Sequence, residues 1–187
     1  MYQLSDFKKG LKVIFEGQPF SVTDFQHVKP GKGNQFTRAR LKNLLTGQNR
    51  EITFKQGEKF EPADISTVEM TFLYKDDEGY HFMNQSNFEQ IALNDDDVGE
   101  SKNYLIENLE CVIVSYNGKP IDVDVPNSVV LKVVKTDPNF KGNTVTGGSK
   151  PAELETGHVV QVPMHISEGD NLKVDTRTGE YIERVNK

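Results

Sequence analysis

The chain has 187 residues, 35% hydrophobic and 27% charged, with a mean hydropathy of −0.58, a composition suited to several small cores rather than one large one. A single Cys excludes an internal disulfide and offers no metal-ligand spacing, no apolar run approaches the ~18 residues that span a bilayer, and Met1–Asp6 lacks the basic-then-apolar pattern of a signal peptide, so the chain is expected to be cytoplasmic. The net charge of −6 argues against a nucleic-acid partner only as an average: residues 1–60 carry +6, residues 61–126 carry −12, and residues 127–187 are neutral. Because salt screens exposed charges beyond about 8 Å, a polyanion senses the nearest module, and the first sixty residues can face RNA while the acidic middle stays away.

The first module opens with the strand-like run Phe7–Phe15, turns at Glu16-Gly17-Gln18-Pro19, and resumes alternation over Phe20–Phe25. Val28-Lys29-Pro30-Gly31-Lys32-Gly33-Asn34-Gln35-Phe36 then joins two β-rich runs. Pro30 presets φ for a first corner, Gly31 suits the positive φ of a type II turn, and Gly33 frees the backbone past the lysine. Lys32 is therefore expected to stand at a narrow, unshielded tip. Phe36–Leu45 alternates again, so Arg38, Arg40 and Lys42, spaced by two, share one strand face. After a turn at Thr46–Asn49, Glu51–Phe54 reads as the module's last strand, and Glu61–Asp64 as its boundary. Short strands at close spacing suggest a small half-open barrel.

The second module begins with Thr67–Tyr74, turns at Asp76–Gly79, and continues as Tyr80–Met83. Asn87–Leu93 is ambiguous, and Gly99–Leu109 carries the best helical spacing of the chain. Glu110–Tyr116 and Pro120–Val125 form a hairpin about the strong turn signal Asn117-Gly118. Cys111 sits in the first of these strands and reads as core filler. Asp95-Asp96-Asp97 lacks the register of a calcium loop and reads as a solvated loop or helix start. Val125–Asn127 is the second boundary. The third module holds strands at Val129–Val134, Val159–Pro163 and Asn171–Asp175, a closing hairpin through Thr176–Gly179, and a polar, Gly-rich loop from Thr136 to Pro151.

Catalytic constellations are missing from this pattern. The four histidines, His27, His81, His158 and His165, occur singly, and no nucleophile motif is present. Gly31-Lys32-Gly33 lacks the upstream glycine and following Ser/Thr of a phosphate loop, and Thr146-Gly147-Gly148-Ser149-Lys150 precedes a strand rather than a helix. No metal site is expected, and the chain is not expected to be an enzyme.

The Lys29–Gly33 tip in a basic first module is followed in order by Tyr80–Asn84, Phe88-Glu89-Gln90, Lys141–Thr144, Thr146–Ala152 and Lys173–Tyr181. Together these motifs resemble the bacterial elongation factor P family over the whole chain. The resemblance implies an all-β protein of three small barrels in an elongated, tRNA-like arrangement: an SH3-like (KOW-like) domain over 1–63, an acidic central OB-fold domain over 64–126, and a C-terminal OB-fold domain over 127–187. It implies a monomeric translation factor that binds the ribosome beside peptidyl-tRNA and relieves stalling at consecutive prolines. Lys32 would be the positioning arm, extended by a lysine-modifying enzyme with a β-lysyl-type group as its one covalent addition, on the support of Pro30, Gly31 and Gly33. Thr146, Gly147 and Gly148 would approach the exit-site mRNA codon, and Tyr181 and Arg184 would lie near tRNA. Lys29, Arg38, Arg40 and Lys42 are RNA-backbone candidates on charge alone. Gln35 departs from the small residue common before the phenylalanine in this family and bears on the type of modification. The alternative is an unmodified RNA-binding protein of structural role, in which Lys32 is only a turn residue.

Overall fold

The computed structural model describes residues 1–138 and 148–185, so Lys141–Thr144, Thr146 and Gly147 lie outside the described residues. Every sheet is antiparallel in its recorded pairings, and each surrounds its own apolar cluster. The first sheet contains β1 (Tyr2–Gln3), β2 (Lys12–Phe15), β3 (Gln18–Val28), β4 (Phe36–Asn43), β5 (Asn49–Lys55) and β6 (Lys59–Pro62), in the order β1-β6-β2-β3-β4-β5. The second contains β7 (Ile65–Asp76), β8 (Gly79–Met83), β9 (Gln90–Leu93), β10 (Glu110–Tyr116) and β11 (Lys119–Asp124), in the order β11-β10-β7-β8-β9. The third contains β12 (Ser128–Thr136), β13 (Ser149–Leu154), β14 (Val159–Pro163), β15 (Asn171–Asp175) and β16 (Tyr181–Arg184), in the order β14-β13-β12-β15-β16. The chain divides into two compact units, residues 1–66 with 114–121, and residues 67–113 with 122–187.

In the first unit, alternation along β4 turns Thr37, Ala39, Leu41 and Asn43 inward and Arg38, Arg40 and Lys42 outward. The core is dominated by aromatic rings: Phe54 meets Phe60 and Phe7 edge-on at centroid distances of 5.0 and 6.0 Å, and Phe15 packs edge-on against both Phe20 and Phe54. Such contacts use the electropositive ring edge against a π face and supplement area burial. Glu51–Phe54 is not the last strand of this sheet. Lys59–Pro62 follows and pairs with both β1 and β2, its signal hidden because only Phe60 of the four faces the core. The β2–β3 hairpin turns through Glu16 and Gly17, both at positive φ, 51° and 76°, the type I′ pattern whose twist suits the flanking strands. Glu16 takes that disfavoured conformation while its carboxylate accepts from Arg50 at 2.8 Å, and the Arg50 guanidinium lies over Phe15.

In the second unit the best helical spacing is shorter and begins earlier than expected. One α-helical turn, α1 (Asp95–Val98), is capped by Asn94 Oδ1, which accepts from the Asp97 N–H, and Gly99 at φ 59° ends it before a 3-10 helix over Gly99–Tyr104. The three aspartates occupy the first turn, where unsatisfied N–H groups favour negative charge. The ambiguous Asn87–Leu93 segment supplies β9, which pairs with β8. Cys111 is buried in β10, as expected, and burial pushes its thiol up to about 11. At neutral pH it is protonated packing rather than a nucleophile. Tyr104 leaves the 3-10 helix to join the core of the third sheet, where its ring meets His158 edge-on at 5.5 Å, and burial raises its pKa with smaller contributions from Glu100 and Asp175. Among the described residues no helix is long and apolar enough to cross a membrane.

Two glycines separate conformational strain from steric exclusion. Gly79 sits at φ 128°, and a Cβ there would lie 2.3 Å from the Leu93 carbonyl oxygen; Gly118, at φ 80° beside Asn117 at 51°, would place a Cβ in open space. Gly79→Ala is expected to cost about 2–4 kcal/mol and Gly118→Ala about 1 kcal/mol, read as shifts in urea midpoint. Equal costs would show that backbone clash adds nothing beyond the φ penalty.

Three carboxylates carry lowered pKa values, two of them exposed and Asp175 half-buried: Glu16 through its hydrogen bond from Arg50, Asp76 through His81, and Asp175 through Arg177. A folded-state pKa below the unfolded one gives stability that is present above the ordinary values, 4.5 for Glu16 and 3.8 for the aspartates, and is lost as pH falls through the folded values. Urea midpoints measured from pH 7 down to 3 should therefore fall less steeply below about pH 4.5 in the Glu16→Gln, Asp76→Asn, Asp175→Asn variant than in the wild type. Parallel acid limbs would contradict the assignment.

Candidate functional site

The longest β pairing in the first unit makes an arm. β3 and β4 pair from Phe20↔Asn43 to Val28↔Phe36, with Thr23 as the unmatched residue of a bulge between Val22↔Leu41 and Asp24↔Arg40. The bulge restores the alternation past the core edge, so Phe25 and His27 share the inner face with Ala39 and Thr37. The six residues after Val22, at about 3.3 Å each, carry the strand end roughly 20 Å beyond that core residue. β5 accompanies β4 along its length, from Phe36↔Lys55 to Lys42↔Asn49, so three strands support the arm to its end. His27 Nδ1 and Thr37 Oγ1 lie 2.8 Å apart across it, and Phe25 packs edge-on against His27.

Residues 29–35 are exposed and contain no regular structure. The reversal is a seven-residue loop, not the tight type II turn expected at Pro30-Gly31. Gly31 does not take a positive φ; Gly33 does, at 108°, where a Cβ would lie 3.9 Å from the Pro30 ring. The longer loop spreads the reversal, so the left-handed residue falls after the lysine instead of before it. Lys32 is exposed and, among the described residues, takes part in no hydrogen bond or ion pair. Gln35 and Phe36 form a wall shared by two shallow clefts at the tip's base. The first, about 260 Å³, is closed by Leu4, His27, Val28 and Lys29; the second is closed by Asn34, Thr53 and Lys55.

The outward row on β4 is less basic than its sequence. Arg38, Arg40 and Lys42 do share one face, but Glu51 stands opposite Arg40 on β5 and Asp24 opposite it on β3. The Glu51 carboxylate reaches Arg38 Nε at 3.8 Å and Arg40 Nη2 at 3.7 Å. The two arginines and two acids cancel. Sequence spacing reveals which residues of one strand share a face but not which residues of the neighbouring strands lie beside them, so Asp24 and Glu51 were missed. Lys29, at the foot of the tip, and Lys42 are exposed.

On the third sheet, β15 and β16 pair as Leu172↔Arg184 and Val174↔Tyr181, with a bulge between. Tyr181 and Arg184 are three apart, which on a regular strand means opposite faces; the bulge brings both to the side of Leu172 and Val174. Tyr181 is partly buried against that core, and Arg184 lies 3.8 Å from Asp170. Gly148 is exposed before β13, and Thr146 and Gly147 lie outside the described residues.

One cluster unites a histidine that the sequence presents singly with two acids of the Asp76–Gly79 turn. Ligand atoms of Asp76, Glu78 and His81 lie within 4.8 Å of one another, and His81 Nε2 meets Asp76 Oδ1 at 2.7 Å while its ring stacks on Tyr74. The imidazole partner is thus an adjacent carboxylate, and the hairpin geometry is what assembles the set. At the arm, by contrast, a projecting amine on a stiff support can position a charged or polar group by contact.

Three family models match consecutive parts of the chain: the Elongation factor P (EF-P) KOW-like domain over residues 3–60, the Elongation factor P (EF-P) OB domain over 65–123, and Elongation factor P, C-terminal, over 129–184. The chain is 60% identical over 187 residues to elongation factor P of Bdellovibrio bacteriovorus, covering all of both chains. It is 51% identical over 185 residues to that of Caldanaerobacter subterraneus, covering 99% of this chain and 100% of the relative. Among solved structures, eukaryotic translation initiation factor 5A from Methanococcus jannaschii is similar with a TM-score of 0.51 at 18% identity, over 67% of this chain and 90% of that one. A translation initiation factor eif-5a family protein from Naegleria fowleri gives 0.52 at 17%, over 66% and 96%. These likenesses concern the fold; the matches along the full length show that the chain belongs to the elongation factor P family, a family of non-catalytic translation elongation factors.

Proposed function

We propose that the chain binds the ribosome beside peptidyl-tRNA and speeds peptide-bond formation at consecutive prolines, with Lys32 as its working residue. The observation that carries this reading is an exposed amine, without an ion pair among the described residues, at the end of a three-stranded arm in a chain of this family. Domains over 1–63, 64–126 and 127–187 would divide the work, the first presenting the arm and the third its own contacts with tRNA and the exit-site codon.

Proline is a stiff and sterically hindered amine donor, so the two reacting ends are badly oriented. Holding the end of peptidyl-tRNA lowers the entropic part of that barrier. The arm supplies the hold through charge and hydrogen bonding, while the ribosome carries out the chemistry. A β-lysyl-type extension of Lys32 by a lysine-modifying enzyme would lengthen the reach and add donors, and the exposure of all of residues 29–35 leaves the amine accessible to such an enzyme. Pro30, Gly31 and Gly33 support the tip, with Gly33 in the conformation that favours glycine. Lys29, Arg38, Arg40 and Lys42 remain candidates for RNA-backbone contact, Tyr181 and Arg184 for tRNA, and Thr146, Gly147 and Gly148 for the codon.

In reconstituted translation, protein purified from its native host should accelerate synthesis through a Pro-Pro-Pro template, and Lys32→Ala should remove most of that gain while leaving a proline-free template unchanged. The intact mass of the native peptide containing Lys32 should exceed that of the unmodified peptide. No proline-specific gain from the native protein would defeat the proposal. A gain that survives Lys32→Ala would instead favour the structural RNA-binding alternative.

A further inference from the structure

We propose that Glu51 is an internal competitor for RNA phosphate, occupying the position between Arg38 and Arg40 that a backbone phosphate takes when RNA binds. The proposal rests on the RNA-facing reading of the first module and adds to it a residue that limits binding.

The geometry is specific to the β3-β4-β5 register. Arg40 faces Glu51 directly across β5, and Arg38 lies one outward position further along the same strand. The two carboxylate oxygens divide between the two guanidinium groups, Oε1 toward Arg38 and Oε2 toward Arg40, at 3.8 and 3.7 Å. Both distances exceed that of a hydrogen bond, and all three side chains are more than half exposed, so the set is loose and solvated. Pairs of this kind contribute little to stability and dissociate readily. The same face forms a hollow of about 230 Å³ lined by Asp24, Gln26, Arg38, Arg40 and Glu51.

The second carboxylate behaves differently. Asp24 Oδ1 accepts the Phe25 backbone N–H at 3.0 Å, which holds it at the bulge. The Glu51 carboxylate accepts no hydrogen bond among the described residues and is the acid free to swing away. A phosphate offers the same two-oxygen geometry to a guanidinium pair, with hydrogen bonds shorter than those contacts. With Glu51 in place the arginines remain directed at the site, but their attraction for RNA in general is reduced. Binding then requires a partner whose other contacts are in register, and this converts affinity into selectivity.

Binding of bulk transfer RNA, measured by filter retention between 50 and 200 mM salt, tests the idea with wild type, Glu51→Gln, the Arg38→Ala/Arg40→Ala pair, and the combination of all three. One further effective phosphate contact has a log–log salt slope of about 0.7–0.9 and is therefore worth roughly five- to eightfold at 0.1 M salt. Glu51→Gln should bind tighter by about that factor with a correspondingly steeper slope, and the gain should vanish when both arginines are absent. Circular dichroism and urea midpoints establish that each variant is folded. If the arginine pair weakens binding while Glu51→Gln leaves it unchanged or reduces it, the competitor role is wrong and the RNA-facing reading stands. A gain that persists without the arginines is a net-charge effect and also overturns the proposal. If neither the arginine pair nor Glu51→Gln changes binding, the RNA-facing reading of this row fails, and the proposal fails with it.

Discussion

The arm depends on the pairing of β3 with β4 across the bulge at Thr23. A two-stranded ribbon that leaves its core would ordinarily be marginal in water. Here β5 stays paired with β4 as far as Phe36, and Phe25, His27 and Thr37 continue the inner face past the last fully buried pair, Val22 and Leu41. The odd residue matters because a register with period two cannot absorb an extra position without turning one strand over. By taking Thr23 out of the ladder, the bulge keeps Ala39 opposite Phe25 and Thr37 opposite His27, and the loop begins only after Val28. Lys32 accordingly stands in an exposed, irregular loop carried on a three-stranded support.

Electrostatics adds a second division between reach and restraint. The first sixty residues have an excess of six positive charges, yet the two arginines of the outward row on β4 are offset by Asp24 and Glu51. Among the described residues, Lys29, Lys32 and Lys55 near the tip have no ion pair. Under the proposed function, in which one group is placed against RNA, a strongly basic flank would favour any RNA in any orientation. Offsetting the two arginines beneath a cationic tip leaves more of the outcome to the tip's own contacts.

Local chemistry was legible in the sequence, and pairings between distant segments were not. Asn117-Gly118 adopts the two positive φ angles that its residues favour, Arg38, Arg40 and Lys42 share a face, and Cys111 is buried, because each depends on a few neighbouring residues. The strand at Lys59–Pro62 was hidden since only Phe60 faces inward, and β13 begins at Ser149, inside a stretch that reads as loop to Pro151. Glu51 lies eleven residues from Arg40, so no spacing rule links them; only the β4–β5 register does. Asp76 and His81 likewise meet because a hairpin folds them together. At the tip, composition correctly marks a reversal, but the loop length, set by where β3 and β4 stop pairing, moves the left-handed residue from Gly31 to Gly33.

The third sheet's candidate contacts are supported from outside its strands. Tyr104, from the segment after α1, belongs to the third core, and its hydroxyl lies 3.1 Å from where a Cβ would stand on Gly179. His158 Nε2 meets the Gly179 carbonyl oxygen at 2.9 Å and packs edge-on against the same Tyr104 ring. Gly179, at φ 79°, is the turn that leads into β16. Thr176 adds hydrogen bonds to the carbonyls of Pro126 and Asn127, the segment joining the second and third sheets. The closing hairpin, and with it Tyr181 and Arg184, is thereby fixed by residues of the second sheet's connection as well as by its own pairing to β15. A side chain at Gly179 would disturb Tyr104 and His158 together, so the position of the tRNA candidates on β16 depends on packing contributed by the preceding module.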